Sequence, residues 1–337
     1  MEPLQVAASH LDAGRIDAAE QVLKALLQAN RTNPWVLGML GCAANKRGNH
    51  RHALSFLDDA LKVGDNIPQI HFEKARAHAS LGASADALQA IRRAIVLAPN
   101  TPGAYEFLSR LLYPGEYYYD VLRRLQEHLR PRSYLEIGVE SGASLALCSG
   151  QTIAVGIDPA PLRLMAPKVV TKIFPMTSDA YFECRSPTVD AECETIDLTF
   201  IDGLHTFEQT LRDFVHVERY TGPRSVVIFH DVLPIDALTA GREQKTVFWT
   251  GDIWKIPLCL TEMRPDLEIC VIPAPPSGLC LVRRLDSSSK VLADSFGSAV
   301  DAYISMDLDT VQLRRQKIPE IANDWDRIRE YLDASTG

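Results

Sequence analysis

The chain has 337 residues, enough for two domains that each bury a core. With 46% hydrophobic and 23% charged residues, its composition is that of a soluble globular protein. The net charge of −8 argues against broad attraction to nucleic acid or anionic membranes, so neither is expected as a partner.

The seven cysteines (42, 148, 184, 193, 259, 270 and 280) are odd in number and scattered, with no C-x-x-C pair. They read as reduced, mostly buried thiols of a cytoplasmic protein. The first residues, Met1-Glu2-Pro3-Leu4-Gln5, lack a basic region followed by an apolar core, and no run approaches membrane-spanning length.

Residues 1–113 carry an internal repeat. Gly14, Gly48 and Gly82 recur every 34 residues, and Ala19, Ala53 and Ala87 keep the same period. Each unit reads as an apolar helix, a glycine turn and a second helix with small residues such as Ala60 and Ala94. A period of this length predicts stacked helical hairpins, because one hairpin alone cannot bury its apolar face. Pro99-Asn100 ends the third unit. The segment resembles the tetratricopeptide repeat family, most closely at Leu40-Gly41, Ala53 and Ala60-Leu61; Leu26 and Arg31 depart from the pattern. The resemblance implies an all-α array that binds a protein or peptide partner or serves as a dimerisation module.

Pro114-Gly115 marks a boundary, and residues 114–286 alternate short apolar runs with helical patterns. A helix around Asp120–Leu125 leads into Ser-Tyr-Leu-Glu136-Ile-Gly138, and the turn closes at Gly142. Residues 143–147 read as the opening of a helix. Strand, glycine turn and helix together let backbone N–H groups approach a polar ligand. Glu136 makes this lip acidic, which suits a cofactor bearing an ammonium and a sulfonium better than a pyrophosphate. Further strands are predicted at 153–157, 169–173, 198–201 and 226–229, and a terminal antiparallel hairpin at 267–272 and 279–283. The fold class is α/β, a doubly wound sheet behind an all-α array.

Asp158 ends the second strand, 20 residues beyond Gly138, where an acidic residue accepts bonds from ribose hydroxyls. Asp202 ends the fourth strand, and Thr206 with Gln209 reads as a capping box for the next helix. His230 and Asp231 end the fifth. Asp202, His230 and Asp231 converging at neighbouring strand ends predict a divalent-metal site or a hydrogen-bonded loop network.

Taken together, Glu136-Ile-Gly138-Val-Glu-Ser-Gly142, Asp158, Ile-Asp202-Gly-Leu-His205 and Phe-His230-Asp231 resemble a class I S-adenosylmethionine-dependent methyltransferase. The branch is the one resembling macrocin O-methyltransferase and cephalosporin-hydroxylase-like proteins, to which Gly251-Asp252-Ile253-Trp254-Lys255 is also similar. The resemblance implies a Rossmann-like seven-stranded sheet and S-adenosylmethionine as cofactor. It implies methionine-end contacts at Glu136 and Gly138, and an adenine pocket around Thr177-Ser178-Asp179. It also implies Mg²⁺ or another divalent ion, although His230 stands where the branch has a carboxylate.

The expected activity is O-methylation of a small-molecule or sugar hydroxyl. His205 is the candidate base and Asp202 its neighbour, with Trp254 and Lys255 as parts of a lid and Asp252 as a cap for 256–263. Two alternatives remain: a repeat-based binding module with an inactive methyltransferase-like domain, or a metal-dependent hydroxylase on the same fold. Residues 287–337 read as a Ser-rich linker and an amphipathic helix through Ile318, Ile321, Trp325, Ile328 and Leu332, packing on a core or a second subunit of a homo-oligomer.

Overall fold

A computed structural model describes residues 2–162, 168–309 and 318–334, and the chain divides into two compact units, Met1–Leu112 and Tyr113–Gly337. The first unit is helical: α1 Pro3–Asp12, α2 Ile16–Ala29, α3 Pro34–Lys46, α4 His50–Val63, α5 Pro68–Ser80, α6 Ser84–Leu97 and α7 Ala104–Leu112. The turn glycines Gly14, Gly48 and Gly82 all sit at positive φ, between 70° and 79°, with nothing near a would-be Cβ. They are therefore selected by backbone conformation alone. Ala19, Ala53 and Ala87 are fully buried where hairpin helices meet.

The second unit begins with α8, Tyr118–Leu129, and is built on a seven-stranded sheet. Its strands are β1 Ser133–Ile137, β2 Ile153–Ile157, β3 Val170–Phe174, β4 Ile196–Ile201, β5 Thr221–His230, β6 Glu268–Ile272 and β7 Leu279–Arg283. The order is β3-β2-β1-β4-β5-β7-β6, parallel except that β7 runs antiparallel to both neighbours. Alternate residues feed two cores: Leu135, Val155 and Phe229 on one face, Tyr134, Ala154 and Ile228 on the other. That double burial is what makes these strands continuous apolar runs.

Two elements differ from the sequence reading. The helix expected over 143–147 is a single 3-10 turn, Leu145–Leu147. Few residues separate Gly142 from Ile153, too few for a full crossover helix of the usual dozen or so residues plus its connections. The tail is also not one helix. Residues 318–321 run extended along β6, with the Val271 N–H donating to Pro319 O and the Ile321 N–H to Val271 O, each at 2.9 Å. Within residues 318–334 the helix is Trp325–Asp333, capped by the Asp324 side chain. Ile318 joins one core and Ile328 and Leu332 the other, so the tail wraps the β6 edge and belongs to this unit. Leu292, Ala299 and Tyr303 enter the core likewise, so the stretch after the serines is not a free linker.

Among the described residues no helix is long and apolar enough to cross a membrane.

Candidate active site

The parallel strands present their carboxyl ends to one cavity of about 740 Å³, the size of a small-molecule site. Gly138 lines it after β1. Its φ is +88°, and a Cβ there would stand 2.0 Å from the Asp202 carbonyl oxygen. The glycine is thus demanded first by the approach of the β1 turn to the end of β4, where a backbone atom leaves no room. Asp158 also lines the cavity and clamps the same turn: its Oδ2 accepts from the Val139 and Glu140 N–H groups at 2.9 and 2.8 Å.

Glu136 and Gly142 do not line the cavity. Glu136 is fully buried behind the wall, accepting from the Tyr134 hydroxyl at 2.6 Å and Ser144 Oγ at 2.7 Å. Burial pushes its carboxyl up to about 8, against the pull of those two hydrogen bonds. The expected acidic lip is therefore an internal brace behind the wall. Gly142, at φ +72°, closes the turn by donating to Val139 O at 2.7 Å.

Ser178 and Asp179 do line the cavity, beyond β3. Asp179 accepts from Gln209 Nε2 at 2.9 Å and pairs with Arg212 at 3.1 Å. The same Gln209 nitrogen reaches Ser178 Oγ at 3.2 Å and Asp213 Oδ1 at 3.0 Å. So Gln209 ties the loop together rather than completing a capping box. The helix it stands on, α11 Phe207–Glu218 (α9 Ser178–Cys184 and α10 Pro187–Asp190 precede it), is capped instead by Asp252 Oδ1, which accepts from the Phe207 N–H at 2.6 Å.

At the ends of β4 and β5 two carboxylates meet two imidazoles. His205 lies 3.6 Å from Asp202 and 3.3 Å from Asp231; His230 Nδ1 lies 3.2 Å from Asp202 and 3.7 Å from Asp231. Asp231 holds a left-handed φ of +61°, a strain that clusters at functional sites. Burial disfavours the charge on Asp202, His205 and His230, but the mutual attractions outweigh it. Asp202 is held below the usual carboxylate range by His230 and His205, and His205 is raised to about 9 by Asp231 and Asp202. His230 is raised in the same way.

The metal trio read from the sequence is Asp202, His230 and Asp231. Asp202, His205 and Asp231 can bring one ligand atom each within 4.8 Å of one another; His230 is not in that group. Its ring is stacked on Tyr118 at 4.2 Å, and its Nε2 faces Ser277 Oγ at 3.2 Å. The converging set of one imidazole and two carboxylates suits a hard or borderline divalent ion, and differs from the two-imidazole, one-carboxylate set of non-haem iron oxygenases.

The lid reading also fails. Lys255 is buried and donates to Asp252 Oδ2 at 3.0 Å and to Ile304 O at 2.7 Å, while Trp254 Nε1 donates to Ala240 O at 3.1 Å. These contacts brace the loop that carries His205. Gly251 serves the same end, since a Cβ there would stand 1.8 Å from the His205 carbonyl oxygen. Asp252 is also held by Arg242 at 2.7 Å.

Three cavity-lining residues carry no sequence expectation, Tyr118, Tyr119 and Asp213, and a fourth, Gln209, is expected only as part of a helix cap. The run Tyr117-Tyr118-Tyr119 ahead of β1 was a visible signal, as was the i, i+4 spacing of Gln209 and Asp213 on one helix face. Burial pushes the Asp213 carboxyl up to about 7.

Comparison with known proteins bears on both units. A methyltransferase-domain family matches residues 135–232, and a tetratricopeptide repeat family matches 39–104. No curated protein matches the chain. Solved structures similar to it include the first TPR domain of human RPAP3 (17% identity, covering 32% of this chain and 86% of that one, TM-score 0.31). Another is PcrH in complex with the chaperone binding region of PopD (22% identity, 33% and 83% covered, TM-score 0.29). A third is the Yersinia enterocolitica translocator chaperone SycD (20% identity, 33% and 76% covered, TM-score 0.29). The chain thus carries a Rossmann-like methyltransferase domain preceded by tetratricopeptide repeats.

Proposed function

We propose that the second unit transfers the methyl group of S-adenosylmethionine to a hydroxyl of a small-molecule acceptor. The observation that carries this reading is that one cavity joins Gly138 and Asp158, the Ser178–Asp179 loop and the Asp202–His205–Asp231 group. In this assignment Asp158 receives the ribose and Ser178 and Asp179 face the adenine. The methionine end rests against Gly138 and Ser144, with Glu136 bracing the wall behind. Displacement at a sulfonium needs chiefly alignment in a water-poor site, to which the buried floor of the cavity, with Val139, Ser144, His230 and Asp231, contributes.

A hydroxyl acceptor must also lose its proton. His205 is positioned to take it once its imidazole has lost the proton that Asp231 and Asp202 hold on it up to about pH 9, oriented by Asp231 and by Trp249 O, which its Nδ1 meets at 3.1 Å. Asp202 steadies the resulting imidazolium. The same donor set fits a divalent cation; held by Asp202, His205 and Asp231, it would take over from the imidazole base by lowering the pKa of the acceptor hydroxyl. We assign the repeats to a protein or peptide partner, a role supported by their family alone.

The test is calorimetric titration of the full chain with S-adenosylhomocysteine. Saturable one-to-one binding, weakened at least about tenfold in Asp158→Ala, is expected; absence of binding would sink the proposal.

A further inference from the structure

With Trp254 and Lys255 buried in the loop brace, the acceptor must be met by other parts of the wall. Tyr118 and Tyr119 stand there on α8, outside every segment assigned to the cofactor. Their rings stack at 4.1 Å and 29°, and Tyr118 stacks in turn on His230 at 4.2 Å and 22°. Three aromatic rings thus form one continuous layer ending at the Asp202–Asp231 pair. Tyr118 and His230 are buried; Tyr119, the outermost, is only half-buried and lines the cavity. His230 Nδ1 adds a buried polar atom with no hydrogen-bond partner, close to Asp202 but not aligned with it.

The charge of the wall is one-sided. Glu140, Asp158, Asp179, Asp202, Asp213 and Asp231 line it, and among the described residues no lysine or arginine does. Its histidines already face carboxylates within 3.3 Å. With no divalent cation held at Asp202, His205 and Asp231, a phosphate, sulfate or carboxylate on the acceptor would meet like charges and no guanidinium fork. An aromatic layer, by contrast, receives a flat or C–H-faced ring and favours a cation. Leu204, which also lines the cavity, is 61% exposed and adds apolar surface at the rim.

We propose that Tyr118 and Tyr119 form the acceptor subsite and that it takes a ring-bearing alcohol that is uncharged or cationic, excluding phosphorylated, sulfated and carboxylated ones. This rests on the methyl-transfer reading above, because it supposes the cofactor in the rest of the cavity.

The experiment uses the full chain saturated with S-adenosylhomocysteine and three phenols alike in size: 4-ethylphenol (neutral), tyramine (cationic) and 3-(4-hydroxyphenyl)propanoate (anionic). Affinities are read by ligand-observed NMR. The neutral and cationic probes bind, and the anionic one binds at least roughly tenfold more weakly. Tyr119→Ala weakens the first two at least about fivefold while S-adenosylhomocysteine affinity stays within about twofold. Tyr119→Leu, which keeps apolar bulk for the fold, shows the same loss. Equal binding of the anion, no binding of any probe, or probe affinities unmoved in Tyr119→Leu would overturn the subsite. Failure of S-adenosylhomocysteine to bind the wild-type protein would strike the methyl-transfer reading instead.

Discussion

Glycines in the two units are demanded by different neighbours. In the repeats, a Cβ at Gly41 would meet the Leu57 side chain at 2.6 Å, and one at Gly38 the Ile70 side chain at 2.9 Å. Side chains can shift. In the methyltransferase unit, Gly138 and Gly251 face the backbone carbonyls of Asp202 and His205 at 2.0 and 1.8 Å, and both glycines hold positive φ. Backbone held in a sheet and its loops cannot shift without moving the site. The repeat unit is therefore specified by packing that tolerates adjustment, whereas the site is specified by close backbone approaches between distant segments.

The sharpest break comes from Gly138→Ala, which combines collision with left-handed strain and is expected to cost more than about 4 kcal/mol. Urea unfolding of the full chain checks it: the transition of the sheet unit should collapse while that of the repeats persists. A loss below about 1 kcal/mol would mean the β1 turn is free to move.

Next in size is the buried brace. Glu136 is raised in the fold from 4.5 to about 8, so its favourable contribution is complete below pH 4.5 and is lost as pH rises through 8. Glu136→Gln removes that loss. The variant should gain on the wild type between pH 5 and pH 9, by up to a few kcal/mol at the alkaline end. A pH-independent gap in unfolding midpoint would show that Glu136 ionises freely in the fold.

Smaller effects belong to the repeats. Gly41→Ala forces Leu57 to repack and is expected to cost about 1–3 kcal/mol, offset in part by better helix propensity. Gly48→Ala meets no atom and bears only the left-handed backbone, about 1 kcal/mol. Thermal denaturation ranks the two, and the reverse order would contradict the packing account.

This contrast also explains what the sequence disclosed. The repeat period, the parallel strands and the terminal hairpin were legible because local patterns state them: glycine and alanine every 34 residues, apolar runs for strands buried on both faces. The convergence of Asp202 and Asp231 followed from strand ends. What was missed depends on long-range partners. Asp252 caps a helix 45 residues away, Gly251 presses on His205, and Pro319 pairs with Val271. Both imidazoles reach both carboxylates, yet it is His205 and not His230 that falls in the group whose ligand atoms converge, a distinction strand position alone does not state. The apparent helix at 143–147 is a local propensity overruled by a short crossover.

The most direct measurement of the central claim is incubation of the full chain with methyl-labelled S-adenosylmethionine, hydroxylated acceptors of neutral or cationic type and added divalent cation. Label should appear in an ether oxygen–methyl group of the acceptor, and should fall by at least about a hundredfold in His205→Asn while S-adenosylhomocysteine still binds. Undiminished transfer in that variant would contradict the assignment of His205 as the base, and a protein that binds no S-adenosylhomocysteine would contradict the claim as a whole.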